Sequence, residues 1–198
     1  MPRHIRGTNR HRFVYLIRHG DYVHSEDHFG GLLTEKGKKQ TRCLVEPMAK
    51  IPVDAIYSST MHRAYQTACI LRDETFPELD IRRTPILKER IFPGWYSGDD
   101  IDHDKEQAAC EALDEIWERF FRPSNTERHD VLVCHGNVIR AIVTRVIDAP
   151  LECWAKAGIT NCGITQIFCL GDGRVRLVSF NERGHLPFAL RHIGSGDD

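Results

Sequence analysis

The run Val131-Leu132-Val133-Cys134 constrains the fold more than any other segment. A strand with one wet face alternates apolar and polar residues, whereas an unbroken apolar run reads as a strand buried on both faces. Such strands belong to parallel sheets covered by helices on either side. The rest of the chain fits that reading. Phe13–Ile17, Val53–Tyr57 and Ile81–Thr84 read as further strands, and helical patterns separate them. One helix starts at Thr34 as N-cap, its regularity lowered by Gly37 and Pro47. A second spans Met61–Leu71 after the cap cluster Ser58-Ser59-Thr60. A third runs from Ala108 to Phe121, where apolar residues recur at three- and four-residue steps, and a fourth covers Val138–Ile147. A loop rich in Pro, Gly and Asp fills Pro93–Asp104. Ile164–Leu170 and Arg174–Phe180 flank Gly171-Asp172-Gly173 as a hairpin. Alternating β and α units predict an α/β fold, a three-layer αβα sandwich with a mostly parallel sheet.

With 198 residues, 41% hydrophobic and 28% charged, the chain reads as soluble and globular. We expect a basic N-terminal arm over 1–12 (Arg3, His4, Arg6, Arg10, His11 and Arg12) and a single domain over 13–198. The arm reads first as solvated, with targeting or contact with an anionic surface left open. A net charge of −1 provides no global field for nucleic acid. No apolar run approaches the roughly 20 residues that cross a bilayer. Seven cysteines without CxxC pairs point to buried thiols, notably Cys43, Cys69, Cys110 and Cys134, in a cytoplasmic or other reduced intracellular compartment. His19, His24 and His28 lie near one another, yet no HxH or HExxH spacing occurs, so no metal site is expected.

Chemistry gathers at the strand ends. Arg18-His19-Gly20 follows the first strand, Arg63 lies in the helix after the second, and His135-Gly136-Asn137 follows the buried strand. Ligands of open α/β sheets bind beyond these carboxyl ends. Guanidinium geometry matches phosphate oxygens, and a helix opening near Asn137 offers free backbone N–H groups to an anion. Leu87-Lys88-Glu89 adds a carboxylate, with Glu106, Glu111 and the aspartates nearby as competitors. The set predicts a phosphate pocket.

Five blocks carry a family resemblance: Leu16–Gly20, Leu33-Thr34…Gly37…Gln40, Ser58-Ser59…Arg63-Ala64…Thr67-Ala68, Leu87–Glu89 and Val133–Asn137. Their order resembles that of the histidine phosphatase, or phosphoglycerate mutase, superfamily across roughly residues 12–180. Arg18–Tyr22, Cys134–Arg140 and Thr160–Thr165 are most similar to its mitochondrial serine/threonine-protein phosphatase branch. Glycolytic mutases of the superfamily typically carry Glu-Ser after Arg-His-Gly; this chain has Asp21-Tyr22.

The resemblance implies a phosphoglycerate mutase-like fold and a metal-independent phosphomonoester hydrolase with no cofactor. It makes His19 the nucleophile, Glu89 the proton donor and His135 a further catalytic group. Arg18, Arg63, His135 and Asn137 would hold the phosphate. Phosphoserine, phosphothreonine or phosphohistidine in proteins is the first substrate class. A broad small-molecule phosphatase, a mutase and a non-catalytic phosphate-binding scaffold stay open behind it. The resemblance further implies mitochondrial association and a homodimer, for which Gly184–Ile193 is the candidate contact. The acidic stretch of Asp99, Asp100, Asp102, Asp104 and Glu106 reads as a solvated loop or an overhang disfavouring strongly anionic substrates. Trp95 and Tyr96 in the same region are candidate peptide contacts.

Overall fold

A computed structural model describes residues 10–25, 29–94 and 102–191. Its centre is a six-stranded sheet: β1 (Arg12–Arg18), β2 (Ala55–Ser59), β3 (Ile81–Thr84), β4 (Arg128–Cys134), β5 (Ile164–Cys169) and β6 (Val175–Glu182). The spatial order is β3-β2-β4-β1-β5-β6. The first four strands of that order run parallel, and the β5–β6 hairpin closes one side antiparallel.

Five helices cover the two faces: α1 (Glu35–Arg42), α2 (Val45–Met48), α3 (His62–Thr75), α4 (His103–Phe120) and α5 (Gly136–Val146). Alternation along each strand divides the core. Val14, Leu16, Tyr57, Leu132 and Cys134 face α4 and α5, together with Trp154. Tyr15, Ile17, Ile56, Val131 and Val133 face the other way, onto Leu44, Met48, Ala64, Ala68 and Leu71. The helices following β1 therefore pack on one face, and α5, following the adjacent β4, packs on the opposite face. Between β1 and β4 lies the topological switch point.

Several boundaries move. Arg12 belongs to β1, paired with Arg128 of β4, and not to a solvated arm; residues 1–9 lie outside the described region. Thr34 caps α1 through its hydroxyl, which accepts from Gly37 N–H at 3.0 Å. The α1 helix stops at Arg42, and Pro47 sits in the separate short α2. Ser58 and Ser59 end β2 rather than capping α3, whose N-cap is Met61. The α4 helix begins at His103, earlier than its apolar stripe, because Asp102 caps it by accepting from Lys105 N–H at 3.0 Å. The described acids of the expected loop, Asp104 and Glu106, thus lie in a first helical turn, where the helix dipole favours negative charge. Asp99, Asp100, Trp95 and Tyr96 fall outside the described residues, as does His28. Of the four thiols expected to be buried, only Cys134 is fully so; Cys43, Cys69 and Cys110 are half-buried, while Cys162 and Cys169 are buried instead.

Candidate active site

The register of β1 on β4 assembles the site. Arg18 lies opposite Cys134, so His19 and His135 emerge side by side beyond the carboxyl ends, their ring centroids 5.1 Å apart. His19 N–H continues the ladder by donating to the Cys134 carbonyl at 3.0 Å. The loop behind it is drawn tight against α1. A Cβ on Gly20 would stand 2.7 Å from the Gly37 carbonyl oxygen, and one on Gly37 would overlap the Asp21 backbone. Both positions need glycine for this close approach.

Two partners set the His19 tautomer. Nδ1 lies 2.8 Å from the Gly20 carbonyl oxygen, which can only accept. Nε2 receives the Nε–H of Arg63 at 3.0 Å, and a guanidinium can only donate. The ring therefore carries its proton on Nδ1 and turns the Nε2 lone pair toward a cation. Burial drives the imidazole well below its usual 6.5, and Arg63 and Arg18 push in the same direction. His135 is fully buried and shifted likewise, by burial first and then by Arg63, His19 and Arg18. Its Nε2 meets Ser59 Oγ at 2.9 Å.

Backbone carbonyls anchor the guanidiniums: Arg18 Nη1 donates to Ile159 at 2.7 Å, and Arg63 Nη1 to Gly30 at 2.7 Å. Arg63 also stacks on Tyr22, 4.4 Å from the ring centroid, and Tyr22 meets His19 edge-on. Asp21, its neighbour, accepts from the Thr34 hydroxyl at 2.6 Å and so braces the start of α1. Asn137 is buried in the first turn of α5, which opens at the site with His135 as N-cap.

Glu89 follows the helical turn Pro85–Leu87, its Oε2 3.6 Å from His135 Nδ1. Burial lifts its carboxyl to about 7, against the opposing pull of Arg63, Arg18 and Arg140. Its glutamate competitors are placed elsewhere: Glu106 lies beside His103, and Glu111 accepts from Gln107 on α4. The structure thus brings Arg18, His19, Arg63, Glu89, His135 and Asn137 to one rim. A cavity of about 370 Å³ adjoins Glu89, and its described lining also includes Arg90, Ile91, Lys105 and Ala108. Among the described residues of the charged stretch, Lys105, paired with Asp102 at 2.8 Å, reaches this lining.

Four more residues belong to the architecture. Ser59 holds His135, and Asn161 Nδ2 donates to the His19 carbonyl at 3.0 Å. Thr67 accepts from Gly20 N–H at 3.1 Å while its hydroxyl bonds back to Arg63. Arg140, only 6% exposed, stacks over Trp154 and acts electrostatically on Glu89. A lone cation within the apolar run Val138–Val143 was the sequence signal for Arg140; Asn161 carried none.

His19, Glu89 and His135 also offer ligand atoms within 4.8 Å of one another, a spacing that a metal ion can use. Arg63 already donates to the His19 lone pair, and Arg18 stands close enough to lower both imidazoles. Positive charge is thus supplied by the protein where a cation would have to sit. The donor set suits an anion.

A neutral imidazole backed by guanidiniums at a switch point, with a helix N-terminus opening on it, defines an α/β protein that handles phosphoryl groups. The comparisons narrow this. The chain belongs to the histidine phosphatase superfamily (branch 1), whose family model matches residues 14–130 and 113–183. It is 30% identical to the mitochondrial serine/threonine-protein phosphatase Pgam5 of Caenorhabditis elegans, over 89% of this chain and 64% of that protein. The Drosophila grimshawi protein of the same name is 27% identical over 96% of this chain and 69% of its own length. The chain therefore spans about two thirds of the curated relatives it matches. Among solved structures, a phosphoglycerate mutase from Plasmodium falciparum superimposes with a TM-score of 0.61 at 28% identity, covering 90% of this chain and 95% of that one.

Proposed function

We propose that the chain hydrolyses phosphomonoesters through a phosphohistidine on His19. The single observation carrying this reading is the His19 tautomer, fixed by Gly20 and Arg63, which leaves Nε2 as a neutral nucleophile among cations. In the first step Nε2 attacks phosphorus, the bond to the leaving oxygen breaks, and that oxygen takes the proton of Glu89. In the second, water attacks phosphorus and gives its proton to Glu89, the P–N bond breaks, and inorganic phosphate leaves. Arg18, Arg63, His135 and Asn137 hold the equatorial oxygens and spread their charge. A Glu89 carboxyl near 7 suits both proton transfers. Wild type should release phosphate from an aryl phosphate, and His19→Ala should not; a fully active variant would overturn the mechanism and leave the scaffold reading. Chelators should leave the rate unchanged, and a rate lost to chelation would hand the His19–Glu89–His135 trio to a metal.

For substrate we propose phosphoserine, phosphothreonine or phosphohistidine in proteins. The names of the Pgam5 relatives support this, and so does an apolar rim beside the site. Val23, Phe29 and Leu32 are 61%, 60% and 54% exposed in the segment that gives Gly30 to Arg63. A second reading, a small-molecule phosphatase, draws on Arg90 and Lys105 in the adjoining cavity, which fit a substrate with a further negative group. Turnover of a phosphopeptide panel against a metabolite panel containing 3-phosphoglycerate separates the two. Better turnover of metabolites reverses the order, and isomerised phosphoglycerate would establish a mutase.

The relatives' names extend the proposal to mitochondrial association, to be tested by fractionation. Among the described residues no helix is long and apolar enough to cross a membrane. Phe188, 89% exposed within the segment expected at a homodimer contact, supports that assembly. Light scattering would reject it by finding only monomer. Ile193, at the end of that segment, lies outside the described residues.

A further inference from the structure

The sheet carries a second cluster of guanidiniums at its other end. Arg12 and Arg128 open β1 and β4, and Arg82 lies near the start of β3. With Tyr57, Pro123, Ser124 and Asn125 they line an open cleft of about 440 Å³. Arg12 and Arg18 are the first and last of the seven residues of β1, about 20 Å apart at the rise of an extended strand. No single phosphoryl group can touch both rims.

Charge in this cleft is only partly balanced. Buried Asp130 receives Arg12 Nε and Nη2, both at 2.6 Å, and Arg128 Nε at 2.9 Å. Asp54 acts on Arg128 from nearby while its own carboxylate accepts from His129 N–H at 2.7 Å. Glu127 is turned to His129 Nε2 at 3.5 Å. On the other side of the ledger stand Arg12, Arg82 and Arg128, with Arg119 over the same Tyr57 ring at 5.5 Å. Four guanidiniums thus stand against three carboxylates, Asp130, Asp54 and Glu127.

Tyr57 gives the cleft a built floor. The residue is only 6% exposed, and its hydroxyl accepts from Arg82 Nη1 at 3.0 Å and from Arg128 Nη2 at 3.5 Å. Guanidiniums only donate, so these two bonds occupy the oxygen's acceptor capacity. The phenol proton then has no acceptor among the described residues. Facing the open cleft, that proton is placed to be donated to an oxyanion bound there. An oxyanion in the cleft would accept from Tyr57 and from the unspent N–H groups of Arg82 and Arg128, with Ser124 and Asn125 at the rim.

We propose that this cleft is a second oxyanion site, taking a phosphate or sulfate group either free or carried on a protein side chain. Calorimetric titration of the full chain with inorganic phosphate tests it, because the assay needs no turnover and stands apart from the proposed hydrolysis. Wild type should bind two equivalents. Arg63→Ala should lose the one at the switch point and keep the other. Arg82→Ala and Tyr57→Phe should each weaken the second equivalent about tenfold or more, with thermal melts and aryl phosphate hydrolysis unchanged. A single equivalent in wild type, or a second one indifferent to both variants, would overturn the proposal. In the His19→Ala chain a phosphoserine peptide that competes with phosphate identifies a side-chain-borne ligand. A peptide without effect identifies the free ion. Competition by the unphosphorylated peptide counts against an oxyanion site.

Discussion

The two rims of the sheet use the same residue type to opposite ends. At the carboxyl rim Arg18 and Arg63 are anchored on the Ile159 and Gly30 carbonyls, and the nearby Glu89 keeps its proton up to about 7. At the amino rim Arg12 and Arg128 spend their strongest bonds on the Asp130 carboxylate. A carbonyl positions a guanidinium without cancelling its charge, whereas a carboxylate does both. A transferring phosphoryl group draws on guanidiniums positioned by carbonyls; guanidiniums positioned by a carboxylate hold strands in register and leave a weaker surplus for binding.

The largest expected effect breaks the carboxyl rim at its nucleophile. His19→Ala should lower aryl phosphate hydrolysis by about 10⁴-fold or more, since removing a covalent nucleophile abolishes the route rather than slowing one step. Melting temperature should change little. Residual turnover close to wild type would mean that the rim only binds.

Glu89→Gln should cost about 10²–10⁴-fold on alkyl phosphates, whose leaving oxygen needs a proton, and less on an aryl phosphate with an acidic phenol. Its pH profile sharpens the point. Wild-type rate should fall as pH rises through about 7, where Glu89 loses its proton, and Gln should erase that limb. The acid limb, set by His19, should lie well below 6.5 because burial, Arg63 and Arg18 all disfavour the imidazolium. An unchanged basic limb in the variant would remove Glu89 from the proton transfers.

The carboxyl rim was legible because its parts follow unbroken apolar strands. Val131–Cys134 announces a buried strand, and whatever comes next stands at a rim. Other parts were hidden by local ambiguity. Ser59 looks like a helix cap because serine at a strand end and serine before a helix have the same neighbours, and only the paired sheet shows it reaching His135. The start of α4 was missed since His103–Gln107 is polar; its capping aspartate, not its apolar stripe, sets the boundary. Asn161 reaches His19 from a loop 142 residues away in sequence, a contact only the tertiary fold creates. At the amino rim Arg12 read as part of a solvated tail, because an arginine ahead of a strand carries no sign that Asp130 awaits it.

A smaller effect should appear in stability. The Glu89 carboxyl is raised from 4.5 to about 7, so the folded state binds its proton more tightly than the unfolded chain does. Stability from this group is fully present below about 4.5 and is lost as pH rises through 7. Glu89→Gln, which keeps the neutral form, should therefore stabilise the fold at pH 8 by on the order of 1–3 kcal/mol and by much less at pH 5. Denaturant midpoints at the two pH values measure the difference. Equal gains at both would attribute the effect to packing rather than to the buried charge.

Smallest of all should be the effect of Arg82→Ala on turnover. Arg82 is exposed, donates to Tyr57 at 3.0 Å and lies across the sheet from the nucleophile. At about 20 Å through a protein edge bathed in salt, one surface charge acts on His19 only weakly, beyond the roughly 8 Å screening length of physiological buffer. Hydrolysis of an aryl phosphate should stay within about twofold of wild type, while phosphate binding at the amino rim weakens about tenfold or more. A large fall in kcat would mean that the two rims communicate through β1 and β4, and that the contrast between a working rim and a holding rim is false. An unchanged kcat together with weakened phosphate binding would make the two clusters independent.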